Sequence, residues 1–162
     1  MHRYGSDAAS SYAAYRPPLH AVILRRALGD RMFGRALDFG CGTGQSAQAL
    51  VDRCDQIMAV DRSPEMLAAA LPDDKITYEL GSERQMPAAN ASIDLVTMAG
   101  VVAYLDLHSF QAELRRICRP AALLVPYDFK AILDPLSDLF LDPANMPRNV
   151  PAWKRPLWNA RD

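Results

Sequence analysis

The sequence carries no surplus of charge: 18 basic residues stand against 19 acidic ones, for a net charge of −1. Without a basic field to draw in phosphates over long range, sequence-independent nucleic-acid binding is excluded as the working expectation. Cysteine and histidine are scarce, at three each. Cys41, Cys54 and Cys118 form no CxxC, and no histidine falls at ligand spacing beside them, so neither a disulfide framework nor a structural zinc site is expected. The first ten residues have no apolar stretch of signal-peptide type, and no run elsewhere is long enough to cross a bilayer. The expectation is a soluble cytoplasmic protein with no metal and no membrane partner.

What the 162 residues do contain is globular composition, with 50% hydrophobic and 23% charged residues. A chain of this length forms one ordinary domain, burying roughly 70% of the surface its unfolded form exposes. The body runs to about Phe129. Pro135, Pro143, Pro147, Pro151 and Pro156 then crowd the segment 130–162, which reads as a separate tail. A short helix on about Pro135 to Phe140, capped by Asp134, and anchoring by Trp153 and Trp158 are expected there.

Within the body, Leu19 to Leu28 carries a helical apolar stripe introduced by Pro17 and Pro18 and stopped by Gly29. Ala36 to Phe39 then forms a short apolar run into a glycine cluster, followed by a helix-period stretch from Gln45 to Arg53. Ile57 to Val60 is a second strand ending at Asp61. Ser63-Pro64-Glu65 supplies an N-cap, an N1 proline and an acid for a helix through about Leu71. Strands are expected on Ile76 to Leu80, Ile93 to Ala99 and Leu123 to Tyr127, with a helix on about Leu107 to Cys118 between the last two. Short apolar strands alternating with helices predict an α/β fold, Rossmann-like and doubly wound: a mostly parallel sheet of about five strands with helices on both faces.

The chemistry is concentrated at the first strand's exit. Gly40, Gly42 and Gly44 alternate through Asp38-Phe39-Gly40-Cys41-Gly42-Thr43-Gly44, where a strand turns sharply and a ligand can approach bare backbone. Asp61 lies 21 residues after Gly40 at the end of the next strand, placed to accept two hydrogen bonds from a ribose diol. Together they describe a nucleoside site. A dinucleotide remains open on the loop alone, since counting from Gly42 puts Ala47 in the third, permissive position. Asp38 argues against a diphosphate and suits a ligand bearing an ammonium group, as S-adenosylmethionine does. Cys41 reads as a small packing residue, His108 as surface, and Asp94 as either a backbone anchor or a residue that shapes the cofactor site.

Asp38-Phe39-Gly40-Cys41-Gly42-Thr43-Gly44 resembles motif I of class I S-adenosylmethionine-dependent methyltransferases of the type 11 kind, and Val60-Asp61-Arg62-Ser63-Pro64-Glu65-Met66-Leu67 resembles their motif II. Gly81 to Pro87, Ser92 to Val96 and Leu114 to Pro120 are similar to further segments of that family in the same order. The resemblance implies a cofactor-binding set of Asp38, Gly40, Cys41, Gly42, Gly44, Asp61, Arg62, Met66, Ser82 and Glu83. In that set the glycines meet the methionine moiety, Asp61 the ribose, Met66 the neighbourhood of the adenine, and Ser82 and Glu83 the adenine edge. Tyr12, Tyr15 and Arg16 are similar to the family's N-terminal cover over the cofactor.

Methyl transfer to a small-molecule acceptor by in-line displacement is the activity so implied. Tyr104, just after the fourth strand, is the catalytic candidate. Ala103-Tyr104 stands where many relatives carry a His-Trp pair. Pro120-Ala121-Ala122 replaces a common Pro-Gly-Gly, so that turn is expected to change type. A complete fold of this family ends in an antiparallel hairpin beside strand five, which the tail is not expected to supply. Pro126 fits the edge position that results, and that edge or the tail is a surface for homodimer pairing. A non-catalytic cofactor-binding or partner-dependent member and a nicotinamide-dependent oxidoreductase stay open beside the methyltransferase reading.

Overall fold

The computed structural model describes residues 19–129. Helix α1 (Leu19–Leu28) precedes β1 (Phe33–Phe39), α2 (Gln45–Gln48), β2 (Cys54–Asp61), α3 (Pro64–Ala68), β3 (Ile76–Leu80) and β4 (Ile93–Ala99). A single 3-10 turn, Val102–Tyr104, then leads to α4 (Leu107–Ile117) and β5 (Cys118–Tyr127). All four strand pairings are parallel, in the order β3-β2-β1-β4-β5. The chain therefore winds outward from β1 in one direction and resumes on its other side at β4. That reversal leaves a crevice at the strands' C-terminal ends, where two connections diverge.

Burial follows the strand alternation. Ala36, Ala59 and Leu95 face one side of the sheet, packing with Leu24 and Leu28 of α1, Ala47 of α2, and Leu50 just after it. Their neighbours Leu37, Val60 and Val96 face the other side, with Phe110 and Ile117 of α4 and with Met86 and Ala88 from the β3–β4 connection. Both faces are thus covered, which is why the central strands read as unbroken apolar runs rather than alternating ones.

Three strands are longer than their apolar runs. β1 begins at Phe33 and β2 at Cys54, pairing Phe33 with Cys54 and Arg35 with Gln56. Gly34, Arg35, Asp55 and Gln56 are exposed and join the ladder through backbone bonding that hydrophobic periodicity does not register, while Cys54 is buried and Phe33 half-buried against the core. Two helices are shorter than expected. After Gln48 the bonds tighten to a three-residue span, Leu50 N–H to Ala47 and Arg53 N–H to Leu50, so the stretch to Arg53 is turn rather than helix. The same tightening, Ala69 N–H to Met66 and Ala70 N–H to Leu67, ends α3 at Ala68 rather than Leu71. Its start is as anticipated: the Ser63 hydroxyl accepts from the Met66 N–H, and Pro64 opens the helix.

The turn before β5 departs from expectation. Ala121 keeps the left-handed conformation, at φ 66, instead of shifting to another turn type. The cause lies in the register: Ile93 pairs with Cys118, yet Leu95 pairs with Leu123, so β5 carries extra residues that bulge out before pairing resumes. Pro126 stands opposite Met98 on β5, the terminal strand among the described residues, with no antiparallel hairpin beside it. The tail, with its expected helix and tryptophans, lies outside the described residues, as do Tyr12, Tyr15 and Arg16.

A side chain in the left-handed region costs roughly 1–2 kcal/mol, partly offset by the smaller unfolded-state entropy of alanine. Ala121→Gly is therefore expected to stabilise the protein by about 0.5–1 kcal/mol and to raise Tm by about 1–4 °C, read by thermal unfolding. An unchanged or lower Tm would show that the bulge holds alanine without strain.

Candidate functional site

The crevice is built by four connections. Phe39 and Gly40 at the end of β1, Val60, Asp61 and Arg62 at the end of β2, Gly81, Ser82 and Glu83 after β3, and Val101, Tyr104 and Leu105 after β4 line an open cavity of about 110 Å3. Gly40 also borders a second, smaller hollow of about 50 Å3, walled by His20, Cys41, Gly42, Thr43, Gln45, Ser46 and Ala99. The two hollows share Gly40 and form a trough along the strand ends, apolar in its walls and acidic at Asp61 and Glu83.

The glycine loop holds its shape through β2. The Gly40 and Cys41 N–H groups both donate to the Val60 carbonyl, and the Gly42 N–H donates to Asp61 Oδ2 at 2.8 Å. Asp61 Oδ1 accepts from the Ser63 N–H at 2.9 Å, so one carboxylate fastens the loop and the start of α3 together. Each carboxylate oxygen keeps a further acceptor position for a ligand.

All three loop glycines have positive φ, but for different neighbours. A Cβ at Gly40 would lie 2.4 Å from Val101 Cγ1, and one at Gly44 would lie 2.1 Å from the Tyr78 hydroxyl. At Gly42 nothing lies within 4 Å, so this is the glycine whose bare backbone faces open space. Tyr78 is itself fixed by donating to the Leu71 carbonyl at 2.6 Å. The loop thus gives up side chains at two positions for protein packing and at one for access.

Asp38 does not line the trough. It is 0% exposed, with Oδ2 accepting from the Ser46 hydroxyl at 2.5 Å and Oδ1 from the Thr97 hydroxyl at 2.8 Å. Asp38 is therefore separated from the second hollow by Ser46, which borders it. Burial pushes the Asp38 carboxyl up to about 6, opposed by the hydroxyls of Ser46 and Thr97 and reinforced by the nearby Asp61. Burial likewise drives the Cys41 thiol far upward, leaving it a packing group and no nucleophile.

Of the other sequence candidates, Asp61, Arg62, Ser82, Glu83 and Tyr104 reach the main cavity, Tyr104 with 76% exposure. Met66 is half-buried and lines neither hollow; its N–H serves the Ser63 cap. Asp94 proves structural, at the far end of β4, where it accepts from the Arg35 N–H and pairs with Arg119 at 2.8 Å. His108 is exposed at the start of α4. The apolar walls Val101 and Leu105 and the second hollow's His20 went unrecognised in the sequence. His20 Nδ1 lies 2.8 Å from the Tyr127 hydroxyl, a pairing across 107 residues that no local pattern announces. Among the described residues no cluster of metal-binding side chains occurs, and no helix is long and apolar enough to cross a membrane.

Asp38 gives the site a pH signature. The unfolded carboxyl ionises near 3.8 and the folded one near 6, so between those values folding takes up a proton and stability falls as pH rises. This contribution amounts to roughly 3 kcal/mol across the interval and is flat above it. Relative to wild type, Asp38→Asn is expected to gain stability by about that amount between pH 4 and pH 7, measured by denaturant unfolding at each pH. A constant difference between the two proteins across this range would refute the buried-charge account.

The same architecture recurs among known proteins. The methyltransferase domain family matches residues 37–125. A malonyl-[acyl-carrier protein] O-methyltransferase of Serratia marcescens is 33% identical over 130 residues, covering 74% of this chain and 49% of that protein. An uncharacterized methyltransferase of Mycobacterium tuberculosis is 37% identical over 93 residues, covering 56% of this chain and 37% of its own length. The chain spans about half the length, or less, of these curated relatives. A structure from Anaeromyxobacter dehalogenans, assigned as a type II methyltransferase, superposes with a TM-score of 0.65 at 31% identity, covering 80% of this chain and 56% of that one. A SAM-dependent methyltransferase of Aquifex aeolicus, at 19% identity, shares the fold with a TM-score of 0.66 over 82% of this chain and 79% of its own. With the glycine loop, the β2 acid and the strand order all in place, the chain belongs to the methyltransferase domain family of class I S-adenosylmethionine-dependent methyltransferases.

Proposed function

We propose that the trough binds S-adenosylmethionine and that the protein transfers its methyl group to a small-molecule acceptor by in-line displacement. The observation that carries this reading is the pairing of an open backbone at Gly42 with the Asp61 carboxylate on the wall of the adjoining cavity. A ribose diol fits the acceptor positions left on Asp61. An adenine ring fits between Phe39, Val60, Val101 and Leu105, with its polar edge toward Ser82 and Glu83. The amino-acid end fits the second hollow, where the buried Asp38 charge behind Ser46 favours a cationic group.

The cofactor would supply an electrophilic methyl on a sulfonium, so this chain's residues need only align an acceptor with it. Orientation of that kind supplies roughly 7–11 kcal/mol of the barrier. Tyr104, exposed at the cavity rim, is the candidate to face the acceptor. The Serratia relative's name points to a carrier-borne carboxylate, which makes malonyl thioesters the first acceptors to try.

Calorimetric titration with S-adenosylmethionine and NAD side by side is expected to show binding of the first alone. Asp61→Ala removes ribose hydrogen bonds worth about 1.5–3 kcal/mol each, so its Kd is expected to rise at least about 10-fold. Equal affinity in the variant would remove Asp61 from the ribose. Formation of S-adenosylhomocysteine with an acceptor separates a methyltransferase from a cofactor-binding protein.

A further inference from the structure

The wall that carries Ser82 and Glu83 belongs to the irregular connection between β3 and β4, residues 81–92, and a connection without helix or strand needs an outside scaffold. α4 and its N-cap provide it: Arg84 pairs with Asp106 at 3.3 Å, the Ala91 N–H donates to the Arg116 carbonyl, and one side-chain pair makes the most contacts. Glu113 and Arg116 meet in a two-pronged ion pair, with Arg116 Nε 2.7 Å from Oε1 and Nη2 2.7 Å from Oε2. The free capacity of both groups is spent on the connection. Glu113 Oε2 accepts from the Met86 N–H at 2.7 Å, and Arg116 Nη2 donates to the Met86 carbonyl at 2.9 Å. Arg116 Nη1 donates to the Ala88 carbonyl at 2.8 Å and to Asn90 Oδ1 at 3.0 Å.

Both polar groups of the Met86 peptide are therefore held by a single ion pair. Met86 is 3% exposed and packs in the same cluster as Phe39 and Val60, which are themselves walls of the main cavity. Immediately before it, Ser82 and Gln85 exchange two backbone bonds of 3.1 Å each, closing a tight turn between the cavity wall and the clamped peptide. A displacement of Met86 is transmitted to Ser82 and Glu83 through that turn and to Phe39 and Val60 through packing.

We propose that Glu113 and Arg116 are positioning residues for the nucleobase edge of the site, fixing Ser82 and Glu83 where they discriminate the base. This inference rests on the cofactor reading above. Neither side chain touches the ligand; both act through the backbone they hold. The geometry requires a fork: a guanidinium reaches Met86, Ala88 and Asn90 while still engaging both oxygens of Glu113, whereas an ammonium does not.

The test is selectivity rather than affinity alone. S-adenosylhomocysteine and S-inosylhomocysteine differ at the base edge, where an amino donor becomes a carbonyl acceptor. Wild type is expected to prefer the adenosyl compound by about 10-fold or more, because the inosyl compound leaves a polar wall group unpaired. In Arg116→Lys that preference is expected to shrink below about 3-fold, while Arg115→Lys, an exposed neighbour on the same helix, retains it. Should Arg116→Lys fail to fold, Glu113→Gln carries the same expectation. Full preference retained in a folded Arg116→Lys or Glu113→Gln overturns the clamp while leaving the cofactor site standing. Wild type that binds neither compound overturns the cofactor reading and the clamp's role with it.

Discussion

The Asp61 carboxylate is where the site is tied together. It stands at the last residue of β2, takes the Gly42 N–H on one oxygen and the Ser63 N–H on the other, and so joins the loop leaving β1 to the helix leaving β2. These two connections diverge from neighbouring parallel strands and would otherwise be independent, each free to drift on its own hinge. A charged acceptor shared by two backbone donors is stronger than two neutral bonds and fixes their separation. Removing the charge leaves two N–H donors competing for whatever acceptor remains, which loosens the crevice even before a ligand is considered. The proposed ribose-binding role would fall on the same oxygens as the structural one, which already orient the carboxylate.

The glycine loop shows how little of such a site is devoted to the ligand itself. Two of its three glycines are imposed by Val101 and Tyr78, residues distant in sequence that press against the loop from β4's exit and from β3. Only at Gly42 would an added side chain meet nothing. The loop is therefore a packed object with one aperture. Its rigidity comes from the Val60 carbonyl accepting two consecutive N–H groups and from Tyr78 being locked onto Leu71. Preorganisation of this kind lowers the ordering cost that a ligand would otherwise meet on binding.

Most of the architecture was legible because its signals are local. The apolar runs at 57–60 and 93–99, the cap at Ser63-Pro64-Glu65 and the stop at Gly29 each act within a few residues, and each stands where the pattern placed it. What escaped was set by partners far along the chain. The early halves of β1 and β2 pair through exposed positions that bury only Cys54 and part of Phe33, and the bulge at Ala121 follows from register against β4. The turns after Gln48 and Ala68 tighten where helical period alone suggests continuation. At the cavity, spacing pointed to Asp61 and the family resemblance to Ser82 and Glu83, and all three line it. The sequence reading placed Asp38 among ligand contacts because sequence gives position along a strand and not depth beneath the surface. Val101, Leu105 and His20 carry no motif at all and enter the site only through topology.

Asp38 then explains why the crevice is charged from below as well as at its rim. A carboxylate with no solvent exposure, at the centre of a parallel sheet, opposes folding unless its oxygens are satisfied, and here Ser46 and Thr97 satisfy both. Their compensation is incomplete, since burial still lifts the carboxyl to about 6, so at neutral pH the fold carries a largely ionised group that it has not fully stabilised. An apolar residue of similar size would remove that strain and, with it, the negative potential behind Ser46. On the proposed reading, a cofactor whose cationic end enters the second hollow would supply a compensating positive charge and offset part of that cost.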